Sequence, residues 1–235
     1  MRRFLLLFSF LLLITPLFAN PFTGGVGLVI IDAGHGGNDP GASGFGAKEK
    51  DITLSVALKL ESELKRKGYE TLLTRSSDVA LSLEDRVKIA RSASSELGTF
   101  PLFISLHCNS SEGESANGFE VYIKQDSSIP PFYSSNMASN TLLMYSSYNK
   151  SQLNRYLNIM NRSFAERIAS NLEENTHLRN RGVKAVDFYV LVNNPLVSVL
   201  VEMAFISNEN ESKLLKKDMF QYQIVDSIVD AIEAL

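Results

Sequence analysis

Apolar runs of strand length alternate with helical apolar stripes along this chain, and that alternation restricts its fold more than any other feature. Leu28 to Asp32 (LVIID) is almost wholly apolar, as in a strand covered on both faces. Ile52, Val56, Leu60 and Leu64 then recur every fourth residue, one stripe of a helix. Asp51 is placed as its cap, and KRKG closes it with basic residues in the last turn before Gly68. YETLLTR, residues 69–75, reads as a second strand, and Ser82 with Asp85 three residues on opens a helix to about Ser95. Pro101 to Leu106 is a third apolar strand ending in His107, and GFEVYIK, residues 118–124, alternates like a strand nearer an edge. Residues 156–174 read as a helix, AVDFYVLV (185–192) and VSVLVE (197–202) as strands, and the C-terminus as helical. Between them, residues 125–156 are rich in Ser, Asn, Pro and Tyr with weak periodicity, the mark of an insertion. Strands alternating with helices predict a single α/β domain, a central mostly parallel twisted sheet flanked by helices.

Composition narrows the function classes. A net charge of −3, with no basic patch interleaved with aromatics, argues against nucleic acid as a partner. Arg2 and Arg3 precede FLLLFSFLLLITPLF, which ends at Ala19; a basic start, a short apolar core and a small residue make a secretory signal peptide over residues 1–19. The run is short against the roughly 20 apolar residues of a spanning helix, so no stable membrane insertion is expected once the signal is removed. The exported domain is then residues 20–235. Its one cysteine, Cys108, excludes an internal disulfide and reads as a small strand residue; stability falls to the core, or partly to a bound metal.

In open α/β sheets, sites lie beyond the carboxyl ends of the strands. Three polar residues occupy such places: His35 after the first strand, His107 at the end of the third and Glu202 at the end of the last. His35 lies among glycines in DAGHGG, where the backbone is free to turn and another group can approach. Zinc in hydrolases is commonly held by three protein ligands with a fourth position open, and two histidines with one carboxylate make such a set. Asp32, Asp39, Glu49 and Asp51 are the acidic residues near the loop; Asp39 before Pro40 fits turn chemistry, and a folded-back loop would bring Glu49 toward His35. Glu202 follows Val199, Leu200 and Val201, and burial there would raise its pKa toward that of a general base. A glutamate pointing to solvent from a strand end is the alternative, and spacing alone leaves both open.

IIDAGHGGNDPGA, KEKDITL, LFISLHCNS and SVLVEMAFISNENE, in that order, resemble the zinc-dependent N-acetylmuramoyl-L-alanine amidases of bacterial cell walls, of the type that cleaves septal peptidoglycan during cell division. The resemblance covers nearly the whole mature chain. It implies a single zinc on His35, Glu49 and His107, a catalytic Glu202, and hydrolysis by zinc-activated water of the amide joining N-acetylmuramic acid to L-alanine of the stem peptide. It also implies peptidoglycan as partner, export to the periplasm, and a lid or regulatory segment at 125–156 on which an activator protein would act. Asp32 and Glu120 are candidate outer partners of the two imidazoles, and Asn109 is a candidate substrate contact. Cys108 stands where a small residue such as alanine is usual and Met203 is a mild variant; adjacent strand side chains point to opposite faces, so Cys108 is not expected to share the metal. His177 reads as a surface residue near a helix end, and Arg75 and Arg86 as salt-bridged or solvated residues rather than contacts for peptide carboxylates. Another periplasmic zinc peptidase, carboxypeptidase-like, and a non-catalytic wall-binding relative are the alternative readings.

Overall fold

The structure is a computed structural model that describes residues 20–235; the signal-peptide reading of residues 1–19 lies outside them. β1 (Val26–Ala33) leads through a loop into the short hairpin β2 (Ser43–Gly44) and β3 (Ala47–Lys48), then α1 (Glu49–Arg66) and β4 (Glu70–Leu73). α2 (Leu83–Ser92), β5 (Phe100–Asn109), β6 (Phe119–Ile123), α3 (Ser139–Tyr145) and α4 (Lys150–Thr176) follow. β7 (Asn180–Ala185), α5 (Tyr189–Val192), β8 (Val197–Phe205), α6 (Glu209–Leu215) and α7 (Asp218–Glu233) complete the chain. The main sheet has the order β4-β1-β5-β8-β6-β7; every neighbouring pair is parallel except β6 with β8. This is the mostly parallel α/β domain that the alternation of strands and helices predicts.

The near-continuous apolar runs follow from covering both faces of this sheet. Val29, Ile31, Leu102, Ile104, Val199 and Val201 belong to the core on the side of α1, α4 and α7. Their neighbours in sequence, Ile30, Phe103 and Leu200, pack on the opposite side with Val87 and Ala90 of α2 and Val190 and Leu191 of α5. Each such side chain, fully buried, contributes roughly 1.5–3 kcal/mol against leaving it in water, so a polar strand residue without a partner is costly on either face.

Three boundaries differ from the sequence reading. α1 begins at Glu49, with Lys48 as its N-cap, rather than behind an Asp51 cap; Asp51 is exposed in the first turn, where a carboxylate still favours the helix dipole. Ser82 does cap α2, its hydroxyl accepting from Asp85 N–H at 3.0 Å, but the helix ends at Ser92. Residues 185–192 are not one strand. β7 stops where its partner β6 stops, at Ala185 opposite Ile123, and Tyr189–Val192 turn into α5 so that Val190 and Leu191 can bury against the α2 side of the sheet.

Residues 125–156 also lie elsewhere than expected. β6 runs antiparallel to β8, so the chain leaves it at the edge where β1, β5 and β8 begin. There the buried Tyr145 ring meets Phe22 and Phe132 edge-on and its hydroxyl donates to Pro195 O at 2.6 Å. Ala138 N–H bonds Arg91 O at 2.9 Å and Asn140 bonds Ser95 O at 2.9 Å, both beyond the far end of α2. The segment therefore packs at the edge opposite His35, His107 and Glu202, and does not lie over them as a lid. Among the described residues, no helix is long and apolar enough to cross a membrane.

Candidate active site

Three chain segments carry donor atoms to one point beyond the carboxyl ends of β1 and β5. His35 sits in the loop after β1 with φ +59°, a left-handed conformation that non-glycine residues take at a cost and that surrounding contacts must hold. Those contacts are two buried arginines. Arg86 donates to Ala33 O at 2.6 Å and His35 O at 2.7 Å, and Arg75 donates to Ala33 O at 2.9 Å and Gly34 O at 2.8 Å. Arg86 is in turn fixed by the wholly buried Asp32 at 2.6 Å, which also accepts from Thr74 and Ser105, each at 2.7 Å.

The His35 ring presents Nε2 to Glu49 Oε1 at 3.2 Å, and its other nitrogen, Nδ1, donates to Asp39 Oδ2 at 2.8 Å. His107, inside β5, places Nδ1 2.9 Å from the same Glu49 oxygen, and the two rings stand edge-on with centroids 5.0 Å apart. Glu49 is buried and anchored from two sides, Oε2 by Ala42 N–H at 2.8 Å and Oε1 by Cys108 N–H at 2.9 Å. One donor atom from each of His35, Glu49 and His107 lies within 4.8 Å of the others. Two glycines make the approach possible. A Cβ on Gly34 would stand 2.6 Å from His107 Nε2, and one on Gly41 would stand 2.5 Å from Glu49 Oε2.

The charges at this point are arranged for a cation. Burial alone would raise the Glu49 carboxyl; the hydrogen bonds and charge of His107 and His35 outweigh it and hold the group well below the usual carboxylate range. Burial likewise works against charge on His35, but Glu49 and Asp39 overcome it and raise the imidazole to about 9. Two nitrogens and one carboxylate oxygen that converge on a single point fit a borderline divalent metal ion.

Glu202 lies in the middle of β8, not at its end, because the strand continues to Phe205. It is paired in register with His107 of β5 on one side and Glu120 of β6 on the other. Its Oε2 is buried with no hydrogen-bond partner among the described residues. Burial, with the nearby negative charges of Glu49 and Glu120, raises this carboxyl to about 7 against the opposing pull of His107 and His35. Beside it opens a cleft of about 450 Å³, lined among others by His35, His107, Glu202, Arg86, Leu83 and Tyr189.

The remaining candidates fall elsewhere. Asp32 and Glu120 are not outer partners of the imidazoles: Asp32 serves Arg86, and Glu120 accepts from Asn109, Tyr122, Arg181 and Lys184. Asp39 does make the turn bond expected of it, its Oδ1 accepting from Gly41 N–H at 3.0 Å. Its other oxygen is also the partner of His35 Nδ1, for which its place four residues on, across two glycines, is the signal in the sequence. Asn109 reaches Glu120 at 2.8 Å. The Cys108 side chain is buried in the core on the α1 side, with its thiol pushed up by burial. His177 is the exposed left-handed C-cap of α4.

Residues 29–234 match the sequence profile of the N-acetylmuramoyl-L-alanine amidase family. The chain is 33% identical over 211 residues to N-acetylmuramoyl-L-alanine amidase LytC of Bacillus subtilis, covering 90% of this chain and 35% of that protein. It is similar to the catalytic domain of CwlV, an N-acetylmuramoyl-L-alanine amidase from Bacillus (Paenibacillus) polymyxa var. colistinus, with a TM-score of 0.68, 31% identity, and coverage of 88% of this chain and 96% of that one. It is also similar to the CwlD amidase of Clostridioides difficile, solved in complex with the GerS lipoprotein, with a TM-score of 0.70, 27% identity, and coverage of 88% and 96%. The chain belongs to the N-acetylmuramoyl-L-alanine amidase family of peptidoglycan hydrolases.

Proposed function

We propose that this amidase cleaves the amide between N-acetylmuramic acid and L-alanine with one zinc ion held by His35, Glu49 and His107, and with Glu202 as its general base. The convergence of three donor atoms within 4.8 Å, beside a buried carboxylate oxygen that lacks a partner, carries this reading. Zinc, when bound, supplies Lewis acidity toward the amide carbonyl and toward water. Glu202 accepts a proton from the attacking water and passes it to the departing alanine nitrogen, a task suited to a carboxyl raised to about 7. Asp39, by accepting from Nδ1 of His35, turns the Nε2 lone pair toward the ligand position. Arg75 and Arg86 hold the strained turn that aims this ring. Asn109 stays a candidate substrate contact, two residues beyond His107, which is paired in register with Glu202.

Export follows from the reading of residues 1–19 as a signal peptide, and the periplasm is the proposed compartment, with septal peptidoglycan cleaved in cell division. Residues 125–156 remain the proposed contact for an activator protein; that an amidase of this family can take a protein partner is supported by CwlD, solved in complex with the GerS lipoprotein. Peptidoglycan zymography with and without a chelator, followed by mass spectrometry of the products, tests the activity. Chelator-sensitive release of stem peptides with an L-alanine amino terminus supports the amidase. Loss of a terminal D-amino acid instead points to a carboxypeptidase, and zinc binding without hydrolysis points to a wall-binding protein.

A further inference from the structure

A second charged cluster lies beyond Glu202 along the sheet. Glu120 stands opposite Glu202 in the antiparallel β6–β8 register, so both side chains project on the face that lines the cleft. The Glu120 residue is 3% exposed, and its Oε1 accepts from both Arg181 Nε at 2.6 Å and Lys184 Nζ at 2.5 Å. Its Oε2 accepts from Tyr122 OH at 2.5 Å and Asn109 Nδ2 at 2.8 Å. Two cations thus share one carboxylate, and that carboxylate leaves part of their hydrogen-bonding capacity unused. Glu211, another carboxylate whose charge interacts with Arg181, is already engaged by the backbone N–H groups of Gly118 at 2.6 Å and Phe205 at 2.7 Å.

A bulge builds this arrangement. Phe119 to Val121 is two steps along β6, while the paired Asn180 to Val183 is three steps along β7, with Gly182 at φ +87° inside the extra residue. In a regular strand, residues three apart face opposite sides; here Arg181 and Lys184 reach the same carboxylate oxygen. Both side chains stay partly open to solvent, 29% and 39%. Two of the three Lys184 donors, and Arg181 Nη2, have no protein partner among the described residues. Lys184 lies over the Tyr122 ring and Arg181 over the Phe205 ring, which limits the freedom of both cations.

We propose that Arg181 and Lys184 form a subsite for the α-carboxylate of the second stem-peptide residue, the acidic residue that follows L-alanine. The proposal rests on the amidase reading above, in which the alanine nitrogen departs beside Glu202. Neighbouring strands lie about 4.8 Å apart, so cations that reach back from β7 over Glu120 stand about 5–10 Å from Glu202. From the alanine nitrogen, one residue spans at most about 3.6 Å and the carboxylate of the next lies about 6 Å away, within that range. An arginine and a lysine with spare donors bind a carboxylate through charge-assisted hydrogen bonds; an amide in its place offers one acceptor and no charge.

Two synthetic muramyl peptides, identical except for a free α-carboxylate or an α-amide on the second residue, test this. The wild type is expected to show kcat/KM about tenfold higher for the carboxylate, expressed mainly in KM, with the preference shrinking at high salt. Lys184→Met brings the ratio between the two substrates toward one, and Lys184→Arg restores it. Equal kcat/KM for the two substrates in the wild type overturns the subsite alone, as does an unchanged ratio in Lys184→Met. Hydrolysis of neither peptide and of no intact peptidoglycan overturns the amidase reading and the subsite with it. Should Lys184→Met fail to fold, calorimetric binding of the two free product peptides to the wild type decides: tighter binding of the carboxylate form supports the subsite, and equal binding overturns it.

Discussion

Replacing Glu202 by glutamine should abolish hydrolysis and yet stabilise the metal-free fold at alkaline pH. In the wild type the carboxyl is raised from its ordinary 4.5 to about 7, chiefly by burial. Above pH 7 it is ionised in both the folded and the unfolded chain, and the folded state bears the full penalty of a buried charge. Between about pH 7 and 4.5 the folded state takes up a proton that the unfolded state does not, so stability climbs as pH falls; below 4.5 both states are protonated. The interval from 4.5 to about 7 corresponds to about 3 kcal/mol, at about 1.4 kcal/mol for each tenfold change in proton affinity. Glu202 is partly open to the cleft, which reduces the figure to about 2 kcal/mol. For a domain of this size that is about 4–8 °C in Tm. Thermal denaturation of the chelator-treated wild type and E202Q, at pH 8 and pH 4.5, isolates Glu202, since the other titrating groups are common to both. E202Q should be the more stable at pH 8, with the gap closing at pH 4.5. An E202Q chain less stable than wild type at pH 8, or a gap that does not change with pH, would refute the reasoning that this carboxyl is buried without compensation.

Three further outcomes follow from the same geometry. The rate of the zinc-loaded enzyme should fall on the acid side, where Glu202 is protonated and cannot accept a proton; the bound cation pulls that limb to or below about pH 7, and a rate that rises from pH 7 to 5 would contradict the assignment. Asp39→Ala should weaken zinc affinity by about 10–100-fold through the freed His35 ring, measured by competition with a chromogenic chelator, and undiminished affinity would remove Asp39 from the site. Gly34→Ala should push the His107 ring out of place and cost about 1–3 kcal/mol with loss of zinc, read by Tm and metal content; wild-type values for both would show that the close approach is not needed.

Much of this architecture is readable along the chain because its physics is local. The strands show as unbroken apolar runs since both sheet faces are covered, as for Val29 to Ile31. His107 and Glu202 stand out because they are the only imidazole and the only glutamate in the β5 and β8 runs, and His35 because it is set among glycines just past the β1 run. Asp39 is harder to read, because a carboxylate before Pro40 is equally at home in a turn and only the fold of the loop directs it to His35. Arg75 and Arg86 read in sequence as salt-bridged or solvated, and Arg86 does pair with Asp32; their work on the carbonyls of Ala33, Gly34 and His35 depends on how α2 and the end of β4 dock against β1. The run 185–192 is apolar enough for a strand, but no edge is free for it past Ile123, and burial against α2 decides for a helix. The position of residues 125–156 is set by the direction of β6, the one strand antiparallel to its β8 neighbour, which no local pattern announces.

Zinc analysis of the purified chain tests the three-ligand centre most directly. One tightly bound zinc per chain is expected in the wild type and in E202Q, and its loss in each of His35→Ala, Glu49→Gln and His107→Ala. A folded wild-type chain with no affinity for zinc, or wild-type zinc affinity surviving the loss of any one of these three side chains, would contradict the centre.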